Sequence, residues 1–430
     1  VNLVAKTYWG GVPFWFRKPP DGARVRSLAL RTADFRQIRA LHWTPEAGPP
    51  PRVGVVVIHP RVDFTHHYAV PRLVAAGFGV LAANSRHVNN DVSCEHEALV
   101  HDVAACMRWL REKAGAQRVV LLGNSGGGSL VAFYQAQSKL EPAARLERSP
   151  GGTLTHFRSL DMIPADGLAL VAAHRGQGHV LLRAIDAAVV DERDPFASSS
   201  DIDVYDARNG FKEPLAPSSY SAEFVTRVRA AQVERVRRID ETARTLLAEH
   251  ARATETSEQP GFEVLPFEAR QQVLRRRAFE PILSVYRTMA NPAYVDPAID
   301  ADPEGATREY GSLMSDRPDL MNMTAMGFAR LCTPRAWLST WSGLSSNADL
   351  AVTIARIDEP TLIVHATRDR ELYWDRDVRP VFEASPSRDK RLVRIEGARH
   401  YFEPDFGEKL APDVERLMDV VVPWIEERFA

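Results

Sequence analysis

Only three cysteines occur in the 430 residues, and Cys94, Cys106 and Cys332 stand far apart. An odd, scattered set fits neither a disulfide framework nor a thiolate zinc site, so a reducing, cytoplasmic setting is expected. Neither sign of charge is in excess: 54 Lys and Arg against 56 Asp and Glu leave a formal net charge of -2. That balance gives no electrostatic reason to expect nucleic acid or an anionic membrane surface as a partner. Long apolar runs are also missing, and no stretch approaches the roughly 18 residues a membrane span requires. The opening VNLVAKTYWGGVPFWFRKPP is apolar and aromatic, but it has no basic segment leading into a continuous hydrophobic one. It is read as an arm, residues 1–24, that packs onto the body. No internal repeat is visible.

What is present is the composition of a soluble enzyme, with length for one large domain carrying an insertion. VRSLALRTADFRQIRALHWTP (25–45) reads as two strands joined by a turn, closed by the proline cluster PEAGPPPR. VGVVVIHP (53–60) is a β-branched run of the kind buried on both faces of a parallel sheet. Helical and strand patterns then alternate through YAVPRLVAAG, FGVLAANS, a helix over about 95–114 carrying Leu99, Val103, Met107 and Leu110, RVVLLG and SLVAFYQAQSKL. The pattern returns at DGLALVAAH (166–174) and again at PTLIVHATRD (360–369) and KRLVRIEGARH (390–400), with a last helix over about 411–428. Between them, from about 185 to 349, the chain turns charged and helical. Val225, Val228, Val236, Ile239, Ala243 and Leu246 mark one long helix, and broken helices are expected through RQQVLRRRAFEPILSVYRTMANP. The expected architecture is therefore α/β: a mostly parallel sheet flanked by helices over residues 25–184 and 350–430, with a helical cap inserted at 185–349.

The stretch VVLLGNSGGGSL (119–130) places four glycines around two serines directly after a buried strand. A phosphate loop would need a lysine after its last glycine, and Gly128 is followed by Ser129. A dinucleotide fingerprint started at Gly126 puts Val131 where its third glycine belongs. G-x-S-x-G fits without adjustment on Gly123, Asn124, Ser125, Gly126 and Gly127. This is the pattern of a nucleophile elbow, in which a strand turns sharply into a helix and lifts the serine hydroxyl off the sheet. Glycines on either side let neighbouring backbone pass without a Cβ clash, and the Gly126 N–H at the helix start can face a developing oxyanion. Ser129 lacks the pattern and reads as a helix-start hydroxyl.

A serine hydroxyl needs a base to take its proton and a third group to orient that base. PTLIVHATRD ends a buried strand in a loop carrying Asp369, and LVRIEGARHYF leads from a strand through a glycine loop to His400. With elbow, acid loop and histidine loop in this order, residues 25–184 and 350–430 resemble the α/β-hydrolase superfamily. The resemblance implies Ser125 as nucleophile, His400 as general base and acid, and Asp369 as the group orienting His400. Glu371 or Asp375 could replace Asp369 in a slipped loop, and an acid placed before the cap would nominate Asp186 or Asp191. Members of the superfamily often carry His-Gly-x after the strand at 53–59. This chain has His59-Pro60-Arg61, and because proline has no N–H, the backbone of Arg61 or Val62 is expected to complete the oxyanion hole with Gly126.

His66, His67, His87, His96 and His101 share a region with Asp91, Glu95 and Asp102, but no metal-ligand spacing is found among them. No metal or cofactor is expected. Trp337 and Trp341, four apart, would share one helix face. Core packing is the plain reading, and an aromatic wall over Ser125 is the sharper one. Asn124, beside the serine, and His59, at its strand end, are further pocket candidates. The expected activity is hydrolysis of a carboxylic ester or lactone of a fairly bulky, apolar or aromatic small molecule through an acyl-enzyme. The alternatives are an amidase, thioesterase or C–C bond hydrolase with the same three residues, or a non-catalytic binding protein that keeps the fold. A homodimer built through the cap is a further expectation.

Overall fold

The computed structural model describes residues 20–305, 307–405 and 410–430; most of the expected N-terminal arm lies outside the described residues. Eight strands form the central sheet: β1 (Ala23–Arg31), β2 (Gln37–Pro45), β3 (Val53–His59), β4 (Gly79–Asn84), β5 (Arg118–Asn124) and β6 (Gly167–Val171), then, beyond a separate two-stranded antiparallel pair of β7 (Leu283–Ser284) and β8 (Leu331–Cys332), β9 (Thr361–Ala366) and β10 (Lys390–Ile395). Their spatial order is β1-β2-β4-β3-β5-β6-β9-β10. β2 alone runs against the others, pairing antiparallel with both β1 and β4. The central strands β3 and β9 are buried along their whole length, which matches their unbroken apolar sequences, whereas β1 alternates near its end and the edge strand β10 is half-exposed.

The crossovers place helices on both faces. Helix α1 (Val70–Ala75) and the C-terminal helix Pro412–Phe429 cover one face around Val55, Val57, Leu122, Val364 and Trp424. Helices α2 (His96–Glu112) and α3 (Gly126–Ser138) cover the other around Val56, Ile58, Leu121, Val103 and Met107. Because β4 lies outside β3 while β5 lies on its other side, the chain reverses its winding direction at β3. Open α/β sheets bind ligands at the carboxyl ends of the strands beside such a switch. His59 and Ser125 stand at those ends.

Between β6 and β9 the chain builds a third apolar cluster from Val180 to Trp341. Its spine is α5 (Ala222–Glu258), 37 residues long, about 55 Å at the helical rise. Ser221 caps it by accepting the Phe224 N–H at 3.1 Å. The buried stripe runs through Phe224, Val228, Val236, Ile239 and Ala243, with Val225 only half-buried. The same stripe holds Gln232, Arg235 and Asp240, which bond to backbone carbonyls of α4 (Gln177–Ala184) and its exit, to Glu192, and to Trp337.

One expectation is corrected. Beyond α6 (Phe267–Ala278) the broken helices read from the sequence give way to extended chain, the short β7–β8 strand pair and isolated turns. Pro281, Pro292, Pro297 and Pro303 interrupt this stretch, each removing an N–H and disfavouring a helical residue before it.

Candidate active site

Strand β5 ends at Asn124 and α3 begins at Gly126, leaving one residue, Ser125, to make the turn. Its backbone sits at φ 55° and ψ −127°, a conformation that costs a non-glycine residue energy and persists only where the surroundings impose it. The glycines explain how the surroundings impose it. A Cβ on Gly123 would stand 2.6 Å from the Gly128 Cα, one on Gly127 2.5 Å from the Ile58 carbonyl oxygen, and one on Gly128 2.3 Å from the Ala173 Cβ. The first turn of α3 is thus pressed against β3 and the exit of β6. Replacing Gly127 by alanine should force α3 away from backbone that cannot yield. The expected loss is about 1–3 kcal/mol of stability in a denaturant titration.

The carboxyl ends of β9 and β10 bring two further groups to this turn. The Ser125 hydroxyl is hydrogen-bonded to His400 Nε2 at 2.8 Å, and His400 Nδ1 donates to Asp369 Oδ2 at 2.6 Å. All three side chains are buried. The other carboxylate oxygen of Asp369 accepts the N–H groups of Glu371 at 2.8 Å and Leu372 at 3.1 Å, which fixes the direction in which Oδ2 points. The Tyr401 hydroxyl donates to Ser125 Oγ at 3.4 Å, and its ring stands edge-on to His400. Burial disfavours the charged imidazole, but the charge and hydrogen bond of Asp369, with Glu371 behind them, outweigh it and push His400 up to about 9. Burial also pushes Glu371 up to about 7.

On the opposite side of the turn, three side chains converge on Gly126. A Cβ there would lie 2.4 Å from Gln177 Nε2, 3.0 Å from His59 Nε2 and 3.3 Å from His174 Nε2. His59 Nδ1 accepts two backbone N–H groups, from Arg61 at 3.1 Å and Val62 at 3.0 Å. An accepting Nδ1 leaves the ring proton on Nε2, facing Gly126. Burial, followed by neighbouring positive groups, holds His59 and His174 well below the ordinary histidine range, so both rings are neutral.

The other residues named from the sequence fall as follows. The Arg61 and Val62 N–H groups, expected to face an oxyanion, are both directed at His59 Nδ1. The Arg61 side chain pairs with Asp91 at 2.6 Å and lies over the Trp341 ring at 5.1 Å. Asn124 is committed at both ends of its amide, to His67 at 3.1 Å and to the Val171 carbonyl at 2.8 Å, so it ties strands together rather than lining a pocket. Trp337 is packed within the third cluster with its indole N–H on Asp240 at 2.7 Å, and the Trp341 N–H reaches the Asp91 carbonyl at 3.3 Å. The plain reading, core packing, describes both. They lie not on an α-helix but on a π-helical turn, Trp337–Trp341, whose Ser339 and Thr340 bond to the segment leading into α2. Ser129 donates back to the Gly126 carbonyl.

The remaining acids are placed elsewhere: Asp375 pairs with Arg379, Asp186 with Arg287 and Asn322, and Asp191 with Arg193. Among the described residues no group of His, Cys, Asp or Glu is arranged to hold a metal ion, and no helix is long and apolar enough to cross a membrane. Sequence reasoning missed His174, Gln177 and Tyr401. The first two lie just beyond β6 at the same sheet edge as Ser125, so their position after a strand end was the available signal.

No family model matches the chain, and no curated protein matches it in sequence. Similar solved structures include one described as DcsB in complex with its substrate analogue, at 12% identity and TM-score 0.49, covering 94% of this chain and 99% of the other. The α/β hydrolase GrgF from Penicillium sp. sh18 gives 13%, 0.47, 94% and 99%. Est1E from Butyrivibrio proteoclasticus gives 12%, 0.44, 94% and 98%. At such distances the fold is read from the chain itself. Its strand order, the reversed β2 and the strained serine turn between β5 and α3 are those of an α/β-hydrolase fold.

Proposed function

We propose that the protein is a serine hydrolase that cleaves a carboxylic ester or lactone through an acyl-enzyme. The observation that carries this reading is the unbroken hydrogen-bonded chain from Ser125 through His400 to Asp369 at a strained elbow. Ser125 attacks the carbonyl carbon as His400 Nε2 takes its proton. The Gly126 N–H, at the positive end of α3, holds the oxyanion, assisted by the carboxamide of Gln177 and the Nε2–H of His59. His400 then protonates the departing oxygen and next activates the water that releases the acid. The helical segment 185–349 acts as a cap over this edge of the sheet; its link through Trp341, Arg61 and Asp91 supports that placement. The side chains gathered at Gly126 are polar, so the aromatic wall read from Trp337 and Trp341 is not carried into the proposal.

A fluorophosphonate probe tests the reading directly. It should label Ser125, located by peptide mass spectrometry, and labelling and ester turnover should share one pH dependence. His400 acts as a base only when deprotonated, and its pKa is raised, so both rates should climb with pH and level off only above about 9. Labelling of another residue would remove the mechanism, whereas a profile already flat between pH 6 and 8 would show only that the His400 pKa is not raised. Esters, anilides, thioesters and vinylogous diketones run side by side separate ester cleavage from the other reactions open to these residues.

A further inference from the structure

Glu371 takes no part in the steps above. Its side chain is only 4% exposed, and Oε2 has no hydrogen-bond partner among the described residues. That oxygen stands 3.8 Å from His400 Nε2, too far for a hydrogen bond, on the same nitrogen that meets Ser125. The Glu371 backbone N–H is anchored on Asp369, so the side chain springs from the turn that orients the imidazole. A buried carboxyl oxygen left without a donor is costly, and at a reaction centre a ligand is the natural source of the missing donor.

Position narrows which part of the ligand this is. His400 Nε2 passes its proton to the departing oxygen, which must come within hydrogen-bond reach of it. A carboxyl oxygen 3.8 Å from that nitrogen is therefore a neighbour of the departing alcohol. Charge narrows the chemistry. Arg61 and Arg183 are already paired with Asp91 and Asp377, and the foremost charge acting on Glu371 is that of His400. While His400 carries the proton meant for the departing oxygen it disfavours an ammonium at this spot. A hydroxyl also serves either protonation state of a carboxyl held near 7, donating to the carboxylate or accepting from the acid, whereas an ammonium serves only the first.

We propose that Glu371 determines specificity by hydrogen-bonding a free hydroxyl vicinal to the ester oxygen, so that the preferred substrates are partial esters of a diol or polyol. This rests on the serine-hydrolase reading. The experiment compares kcat/KM, taken at a single pH near 7 where the amine is protonated, for 2-hydroxyethyl butyrate and propyl butyrate, which differ by a hydroxyl against a methyl, with 2-(dimethylamino)ethyl butyrate as a third arm. The unaltered protein should favour the hydroxyl ester over the propyl ester by roughly tenfold or more. In Glu371→Met this ratio should collapse to about one, and in Glu371→Gln, whose amide oxygen still accepts, most of it should return. The proposal is overturned by a ratio near one in the unaltered protein, by a ratio that survives in Glu371→Met, or by preference for the amino ester. Fluorophosphonate labelling of the same preparations separates the two levels. Ser125 labelled without hydroxyl preference overturns this inference alone, whereas no labelling overturns the hydrolase reading and this inference with it.

Discussion

Replacing Ser125 by alanine is expected to lower kcat for ester hydrolysis by roughly 10⁶-fold while leaving the fold intact. The size follows from what is removed: without Oγ no acyl-enzyme forms, and only the oxyanion donors and substrate positioning remain, which sustain a small residue of catalysis. Stability should fall only slightly. Alanine keeps the Cβ and inherits the same strained backbone at φ 55°, and the hydroxyl gives up its hydrogen bonds with His400 and Tyr401, a net loss of about 1 kcal/mol. Ser125→Gly makes the complementary point. It should be as inactive as the alanine variant yet more stable than it by about 1 kcal/mol, because glycine occupies positive φ without penalty. A folded alanine variant turning over within tenfold of the parent would show that another nucleophile does the work.

Asp369→Asn should cost about 10³–10⁴-fold in kcat, for a reason specific to this loop. Asp369 Oδ1 accepts the N–H groups of Glu371 and Leu372. An asparagine therefore keeps its oxygen on those donors and turns its NH₂ toward His400 Nδ1. Two donors cannot share a bond, so Nδ1 becomes an acceptor, the ring proton moves to Nε2, and the base that should face Ser125 is blocked. The carboxylate charge that holds the imidazolium is lost as well. Asp369 raises the His400 pKa, so the residual activity should reach its plateau at lower pH than in the parent. A smaller rate with an unmoved profile would mean that Asp369 positions the loop without acting on the ring. Stability near neutral pH follows the same sign. With the His400 pKa raised in the folded state, its contribution is complete below about 6.5 and fades as pH rises through about 9.

The strands, the elbow and the order of Ser125, Asp369 and His400 could be read along the chain because each is written locally. β3 announces itself by an unbroken β-branched run, since a strand buried on both faces leaves no position for a polar residue. Gly123, Gly127 and Gly128 announce a turn where backbone meets backbone, and the distances at their absent Cβ atoms give the reason. The helix α5 was legible from its apolar stripe, although the stripe said nothing of Arg235 or Asp240. Periodicity reports which face is covered, and a polar group on that face becomes tolerable only when a distant partner, here Glu192 or Trp337, arrives to satisfy it.

Tertiary structure alone decided the rest. Spacing left Asp369, Glu371 and Asp375 open as partners of His400, and the turn after β9 separates them: the first onto Nδ1, the second toward Nε2, the third onto Arg379. Pro60 made the second oxyanion donor doubtful from sequence, but only the fold shows Arg61 and Val62 turned to His59 and Gln177 brought in from beyond β6. Local residue patterns carry the energetics of burial and turning, which depend on near neighbours in the chain. Which groups then share a proton depends on contacts between segments hundreds of residues apart, as with Ser125 and His400, and those exist only once the sheet has assembled.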